Sequence, residues 1–318
     1  MKKNNKIYFW ACDFCNISGE GILAKLFLSY FKKKKPGSIL VNLAKNYQFQ
    51  KRNNFINDPE KFNGIIHRYI FPYFGIFKLW VCFIKNKKII YINYLPLWNF
   101  LIFLLLPPKT ILGPITGTIQ KKKFYWLTNF FEKISLIIIK KRFKEIIFSN
   151  NFFTKKYYFK KKKVINNFIL KNFQISKKIP KKKYDFVIYY RNISSYNTKY
   201  IYQTINTLNK YKFNFAIIGD KINISGNKNF GYVSRKKARK IISQSKFAIS
   251  NPENLYSFFV QDCLSFKLKI FYNIFFKKFN TLKNKNLIPV SFKSSKNDVK
   301  IILKNFTKNN IDKTFNSI

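Results

Sequence analysis

Residues 231–273 read "GYVSRKKARKIISQSKFAISNPENLYSFFVQDCLSFKLKIFYN". The turn residues at the start lead into "SRKKARKIISQS", a helix capped by Ser234. "KFAIS" (246–250) is a short apolar strand, and "NPENLYSFFVQD" (251–262) passes from a loop into an amphipathic helix. "LKIFYN" (268–273) is a second strand. Two strands joined through a helix are the parallel arrangement, because a parallel pair needs a crossover connection. This stretch therefore decides for an α/β protein.

The same alternation extends upstream. "YDFVIYYR" (184–191) and "FNFAIIGD" (213–220) are strands around the helix "NTKYIYQTINTLNKY" (197–211). In the first half, "KIYFWAC" (6–12), "SILVNLA" (38–44), "KKIIYINYL" (87–95), "TILGPITG" (110–117) and "KEIIFSN" (144–150) are strands. Helices cover 22–35 and 124–142. Between the halves lies a Lys-rich break at 155–183, the candidate linker. The architecture repeats without an internal sequence repeat, which predicts two domains, 1–165 and 166–318, with a cleft between them.

Composition bounds what this chain can be. Its 318 residues suffice for two cores, 47% are apolar and 19% aromatic, so most of the length is folded. Lys, Asn, Ile, Phe and Tyr dominate, as AT-rich codon usage would produce. The net charge of +50 thus has two readings, mutational drift or selection for an anionic partner. Cys12, Cys15, Cys82 and Cys263 do not make a disulfide framework, and a reduced cytosol suits them. The lone "CDFC" has no second pair for zinc, and its thiols read as buried at a strand end. The start has a basic n-region, but Asp13 interrupts its apolar run early and no small-residue cleavage site follows, so no signal peptide is expected. "LPLWNFLIFLLLPP" (95–108) is too short to span a bilayer and is closed by Pro107 and Pro108, so it is a buried or interfacial helix.

The chain has only twelve acids, and several follow predicted strands: Asp13, Glu20, Asp220 and Glu253, with Asp262 on the next helix. Ligands of open α/β sheets bind beyond the carboxyl ends of the strands. Gly19, Glu20 and Gly21 form a loop whose bare N–H groups can meet an anion, and Gly113, Thr116 and Gly117 form a second tight turn. Arg191 ends a strand in a chain where Arg is scarce beside Lys, and Lys199 follows shortly. Such a pair can hold a diphosphate, Arg by its fork and Lys as a point charge.

Together these elements resemble the GT-B glycosyltransferases, in particular the retaining, nucleotide-sugar-dependent "group 1"-like family. The resemblance rests on "SGEG", "LPPKTILGPITG", "VIYYRN…K" and the stretch at 231–273. It implies two Rossmann-like domains facing a cleft, the first binding the acceptor and the second the nucleotide sugar. It implies a catalytic role for Glu253, holding the donor sugar's hydroxyls, and for His67, near the transferred sugar. Arg191, Lys199, Asp220, Asn254, Gln261 and Asp262 would bind the donor, and Gly19–Gly21, Gly113, Thr116 and Gly117 the acceptor or phosphate. The family spaces its two glutamates with seven residues between them. From Glu253 that register lands on Gln261, with Asp262 next door, so either could meet the ribose. "GPITGT" departs from the pattern by having Thr118 where a second glycine is common, and His67 reads equally as a structural residue. The implied chemistry is hexosyl transfer to an acceptor hydroxyl in surface polysaccharide or glycolipid synthesis, without a metal or other cofactor. The expected partners are a nucleotide sugar, a saccharide or lipid-linked acceptor and an anionic membrane surface, for a cytoplasmic protein peripheral on the membrane's inner face.

Two rival readings belong beside this one. Basic charge with interleaved Phe and Tyr suits a nucleic-acid-binding protein, but the aromatics fall inside strand and helix patterns as a core would use them. A non-catalytic membrane-surface homologue would use residues 95–108 and the Lys runs.

Overall fold

The structure is a computed structural model. It describes residues 6–14, 19–44, 70–92, 97–115, 125–143, 145–148, 163–165, 180–191, 198–222, 228–250, 255, 257–279, 284–291 and 295–307. The chain divides into two compact units, Met1–Asn172 and Phe173–Ile318, and the division falls within the Lys-rich break.

In the first unit, β1 (Lys6–Trp10), β2 (Ile39–Asn42), β3 (Lys88–Tyr91) and β4 (Ile111–Leu112) form a parallel sheet in the order β2-β1-β3-β4. A second parallel sheet has the order β5-β6-β7, from β5 (Pro114–Ile115), β6 (Glu145–Phe148) and β7 (Lys163–Ile165). Gly113 alone separates β4 from β5, so one extended segment leaves β3 and joins β6. Its N–H donates to Tyr91 O at 2.7 Å, and a side-chain carbon there would lie 3.1 Å from that oxygen. The close approach of two backbones explains the glycine.

Among its described residues this unit has the helices α1 (Gly19–Lys34), α2 (Phe71–Ile84), α3 (Phe100–Leu105) and α4 (Tyr125–Arg142). α2 packs against β1 and β3. It does so through Gly75, where any side-chain carbon would sit 2.2 Å from Nε1 of the fully buried Trp10. Tyr91 hydroxyl donates to Pro72 O at 3.3 Å and ties the same helix to β3. Among the described residues no helix is long and apolar enough to cross a membrane.

The second unit holds one six-stranded parallel sheet in the order β10-β9-β8-β11-β12-β13. Its strands are β8 (Tyr184–Tyr190), β9 (Phe215–Gly219), β10 (Lys228–Asn229), β11 (Ser245–Ile249), β12 (Lys269–Asn273) and β13 (Leu287–Val290). Counted from β8, this is the 3-2-1-4-5-6 order of a Rossmann domain. Helices α5 (Thr198–Lys210) and α8 (Ser295–Thr307) pack together, as do α6 (Arg235–Ser243) and α7 (Phe258–Ser265). Pro289 lies in β13, an edge strand, where a missing N–H is tolerated.

The core under α5 and α8 is built chiefly of isoleucine and phenylalanine. Phe186 stacks on Phe215 at 5.5 Å and on Phe306 at 5.8 Å, and Phe213 meets Phe306 edge-on at 4.8 Å. Ile201, Ile205, Leu208 and Ile302 complete it from the helices. The aromatic residues of these strands thus serve packing, as their positions inside the strand pattern predicted. The expected α/β class, with two Rossmann-like parallel-sheet units, is the fold of this chain.

Candidate functional site

Strand order in the second sheet reverses between β8 and β11, because β9 pairs with β8 on its other side. Ile188 is in register with Ile217 of β9 and Ile249 of β11. Beyond the carboxyl ends of these three strands come Arg191, Asp220 and Ser250, so the crevice of a doubly wound sheet opens at these residues. α5 begins at Thr198, and its N-terminus carries partial positive charge.

The turn after β9 is tightly fixed. Gly219 has φ +109°, and a side-chain carbon there would stand 2.1 Å from Tyr190 O. Asp220 N–H donates to that same Tyr190 oxygen at 2.9 Å. Only glycine lets the chain pass this close to the end of β8. Asp220 Oδ1 then accepts a hydrogen bond from Tyr232 hydroxyl at 2.6 Å. Burial, that hydrogen bond and the negative charge of Asp220 all push the Tyr232 phenol well above its usual range, while Arg191 pulls it back down. Tyr190 is pushed up by burial first, then by Asp220 and Tyr202. A guanidinium, a carboxylate and two neutral phenols therefore meet at this end of the sheet. The group offers a cation for phosphate and an acceptor for sugar hydroxyls.

The segment from β11 to β12 answers a question its sequence raises, namely which residue caps its helix. The cap is Ser257, whose hydroxyl accepts from Val260 N–H at 3.3 Å. α7 is held to β8 by a stack of Phe259 on Tyr189, 5.5 Å between centroids. Asp262 is buried and faces α6. Arg235 donates to it through Nε at 3.3 Å and Nη2 at 3.1 Å, and Arg239 Nη1 donates to its Oδ1. Arg235 also lies 5.3 Å over the Phe258 ring and Arg239 4.9 Å over the Phe266 ring. Both carboxylate oxygens of Asp262 are thus engaged in joining two helices. Gln261, beside it, is buried as well.

The remaining sequence-derived residues fall elsewhere. Glu253, Asn254, His67, Thr116 and Gly117 lie outside the described residues, and Lys199 is described only as part of the first turn of α5. Gly19, Glu20 and Gly21, read as a loop, form the first turn of α1 in the first unit. The helix starts three residues earlier than expected, and neither glycine has a left-handed φ there. Gly113 is the partner-switching residue between β4 and β5. Cys12 is buried and its Sγ accepts from Trp10 Nε1 at 3.2 Å, and burial holds its thiol neutral, far above the usual range. Among the described residues no group of three or more His, Cys, Asp or Glu could hold a metal ion. Tyr232, the partner of Asp220, escaped the sequence reading. Its only signal there is its place just before the capped helix α6.

No protein-family model and no curated protein matches the chain. Solved structures do. S. aureus MnaA in complex with UDP matches with a TM-score of 0.50 at 10% identity, over 94% of this chain and 87% of that one. An alpha-glucosyltransferase in complex with UDP and a 13-mer DNA matches at 0.45 and 9% identity, over 96% and 91%. E. coli heptosyltransferase WaaC with ADP-2-deoxy-2-fluoro heptose matches at 0.38 and 9%, over 94% and 99%. At such identities the likeness is one of fold, and it extends over nearly the whole chain.

Proposed function

We propose that the second unit binds a nucleotide-diphosphate sugar and that the protein transfers the sugar to an acceptor hydroxyl. The observation that carries this reading is Arg191 at the reversal point of a 3-2-1-4-5-6 sheet, with Asp220 at the end of the neighbouring strand. MnaA, whose fold matches, was solved with UDP, a ligand of the kind proposed.

In this reading Arg191 and Lys199, with the N-terminus of α5, neutralise the diphosphate as it leaves. Charge develops there in the transition state, and two cations meet it without a metal. Glu253 and Asn254 hold the donor sugar, with Asp220 near the nucleoside. Gln261 takes the ribose in preference to Asp262, whose oxygens already serve two arginines. The acceptor binds to the first unit, near Gly19–Gly21, Gly113–Gly117 and His67. A hexosyl group and a saccharide or glycolipid acceptor fit the resemblance, in a cytoplasmic protein that builds surface polysaccharide.

The test is saturation-transfer NMR of the full chain against UDP-, GDP- and ADP-sugars. Transfer to nucleoside and sugar protons of at least one donor is expected. Silence across the whole panel would overturn the reading.

A further inference from the structure

We infer that the face of the first unit formed by α2, α3 and α4 docks on an anionic lipid bilayer. α3 adjoins α2 on one side and α4 on the other. Trp80 Nε1 of α2 donates to Leu105 O at 2.7 Å, and Phe100 of α3 stacks on Phe131 of α4 at 5.2 Å. Arg142 at the end of α4 donates to Leu104 O, and to Leu106 O at 2.8 Å. The carbonyls at the end of α3 are therefore gripped from both sides, and α3 sits between its neighbours.

Each helix buries one side and leaves a large apolar side in solvent. On α2, Leu79 and Cys82 are buried while Phe77 (61%), Val81 and Ile84 (75%) are exposed at helical spacing. On α3, Ile102 and Phe103 are buried, and Leu101, Leu104 and Leu105 are exposed. On α4, Leu136 and Ile139 are buried, and Trp126 (71%), Phe130 and Ile137 are exposed. Solvent-facing aromatic and aliphatic groups on three adjoining elements exceed the scattered exposure normal for a surface.

Charge identifies the occupant. The exposed face of α4 interleaves its apolar residues with Lys133, Lys140 and Lys141, and exposed Lys85 and Lys109 follow α2 and α3. The only acid in residues 70–92, 97–115 and 125–143 is Glu132, and it is buried. Apolar side chains ringed by lysine, with no exposed carboxylate, complement a surface of negative headgroups over acyl chains. A second copy of the chain would bring the same lysines against one another. Trp98 and Trp126 are of the type that settles at the boundary between headgroups and chains. The helices lie on such a surface, none being long enough to cross.

This inference stands apart from sugar transfer, since it is read with lipid alone. The full chain is sedimented with vesicles of phosphatidylcholine, or of phosphatidylcholine and phosphatidylglycerol in equal parts, at physiological ionic strength. Binding to the mixed vesicles is expected, with a blue shift of tryptophan emission that Trp126→Phe reduces. The triple variant Phe77→Ser/Trp126→Ser/Phe130→Ser replaces only exposed side chains and keeps the wild-type circular dichroism. It should bind roughly 100-fold more weakly. Three results would overturn the proposal. They are equal binding to both vesicle types, undiminished binding by the triple variant, and a wild-type dimer that the triple variant abolishes while lipid goes unbound.

Discussion

Asp262 of α7 lies buried between Arg235 and Arg239, one helical turn apart on α6, and each arginine rests in turn on a phenylalanine of the α7 segment. One acid thus organises four neighbours into an interlocked pair of helices. The aspartate is 3% exposed and the arginines 21% and 29%, so solvent screens the pairing only in part. An ion pair of this kind adds little net stability over an apolar contact, yet breaking it strands charge in the interior.

Asp262→Ala is accordingly expected to lower stability by about 3 kcal/mol. Arg235→Ala and Arg239→Ala should each cost less, because the other guanidinium stays with the carboxylate. Urea titrations of the three variants and of the double mutants measure this. Additive losses would show that the arginines do not share the aspartate.

Gly219→Ala places a carbon against Tyr190 O in a left-handed conformation, so a loss of roughly 2 kcal/mol or more is expected. The strain falls between β8 and β9, beside Asp220. Donor binding should therefore weaken along with stability, read by calorimetry on whichever nucleotide sugar binds the wild type.

Arg191→Ala should separate the two properties. It is expected to weaken nucleotide-sugar binding by about 10- to 100-fold with a small change in thermal stability. Arg191→Lys should recover only part of the loss, since a point charge replaces a two-pronged donor. Glu253→Ala is expected to abolish transfer while the circular dichroism spectrum stays wild-type.

Alkaline pH should unfold the protein early. Cys12 and Cys263 are held above the ordinary thiol value of 9.0, chiefly by burial, and Tyr190 and Tyr232 above the phenol value of 10.0 for the same first reason. All four keep their protons in the folded state at pH values where the unfolded chain gives them up. Stability from these groups is complete below pH 9.0 and declines as pH rises beyond it. Urea midpoints measured from neutral pH upward should fall, and a midpoint that rises above that pH would contradict the assignment.

Most of the second unit was readable because its central strands are buried on both faces. Strands β8, β9, β11 and β12 carry uninterrupted apolar or aromatic runs at 186–190, 215–218, 247–249 and 270–272, followed by residues such as Arg191, Asp220 or Asn273 that mark the carboxyl end. α2 was not readable, since Pro72 and Gly75 look like breakers in sequence. In the fold Pro72 occupies the first turn, where its missing N–H goes unused, and Gly75 is the space that Trp10 fills. The site was readable in part. Arg191 and Asp220 announce themselves by following strands, whereas Tyr232 reaches Asp220 only through the folding of β9 and β10. Asp262 read as a ligand residue because its partners lie 27 and 23 residues upstream, among lysines that disguise them.

Those partners were marked in one respect. Sixty-two of the residues are Lys or Arg, and Arg142, Arg191, Arg235 and Arg239 are the arginines among the described ones. Arg142 spans two carbonyls at the end of α3, and Arg235 and Arg239 divide one carboxylate between them. Arg142 and Arg235 each donate twice, and Arg239 lays its flat head over the Phe266 ring while bonding the same carboxylate, tasks that an ammonium does not reproduce. In so lysine-rich a chain, the choice of cation therefore records where geometry matters and where only charge does. By that criterion Arg191 stands where shape is required, and an exchange to lysine there, at Arg142 or on α6 is no conservative change.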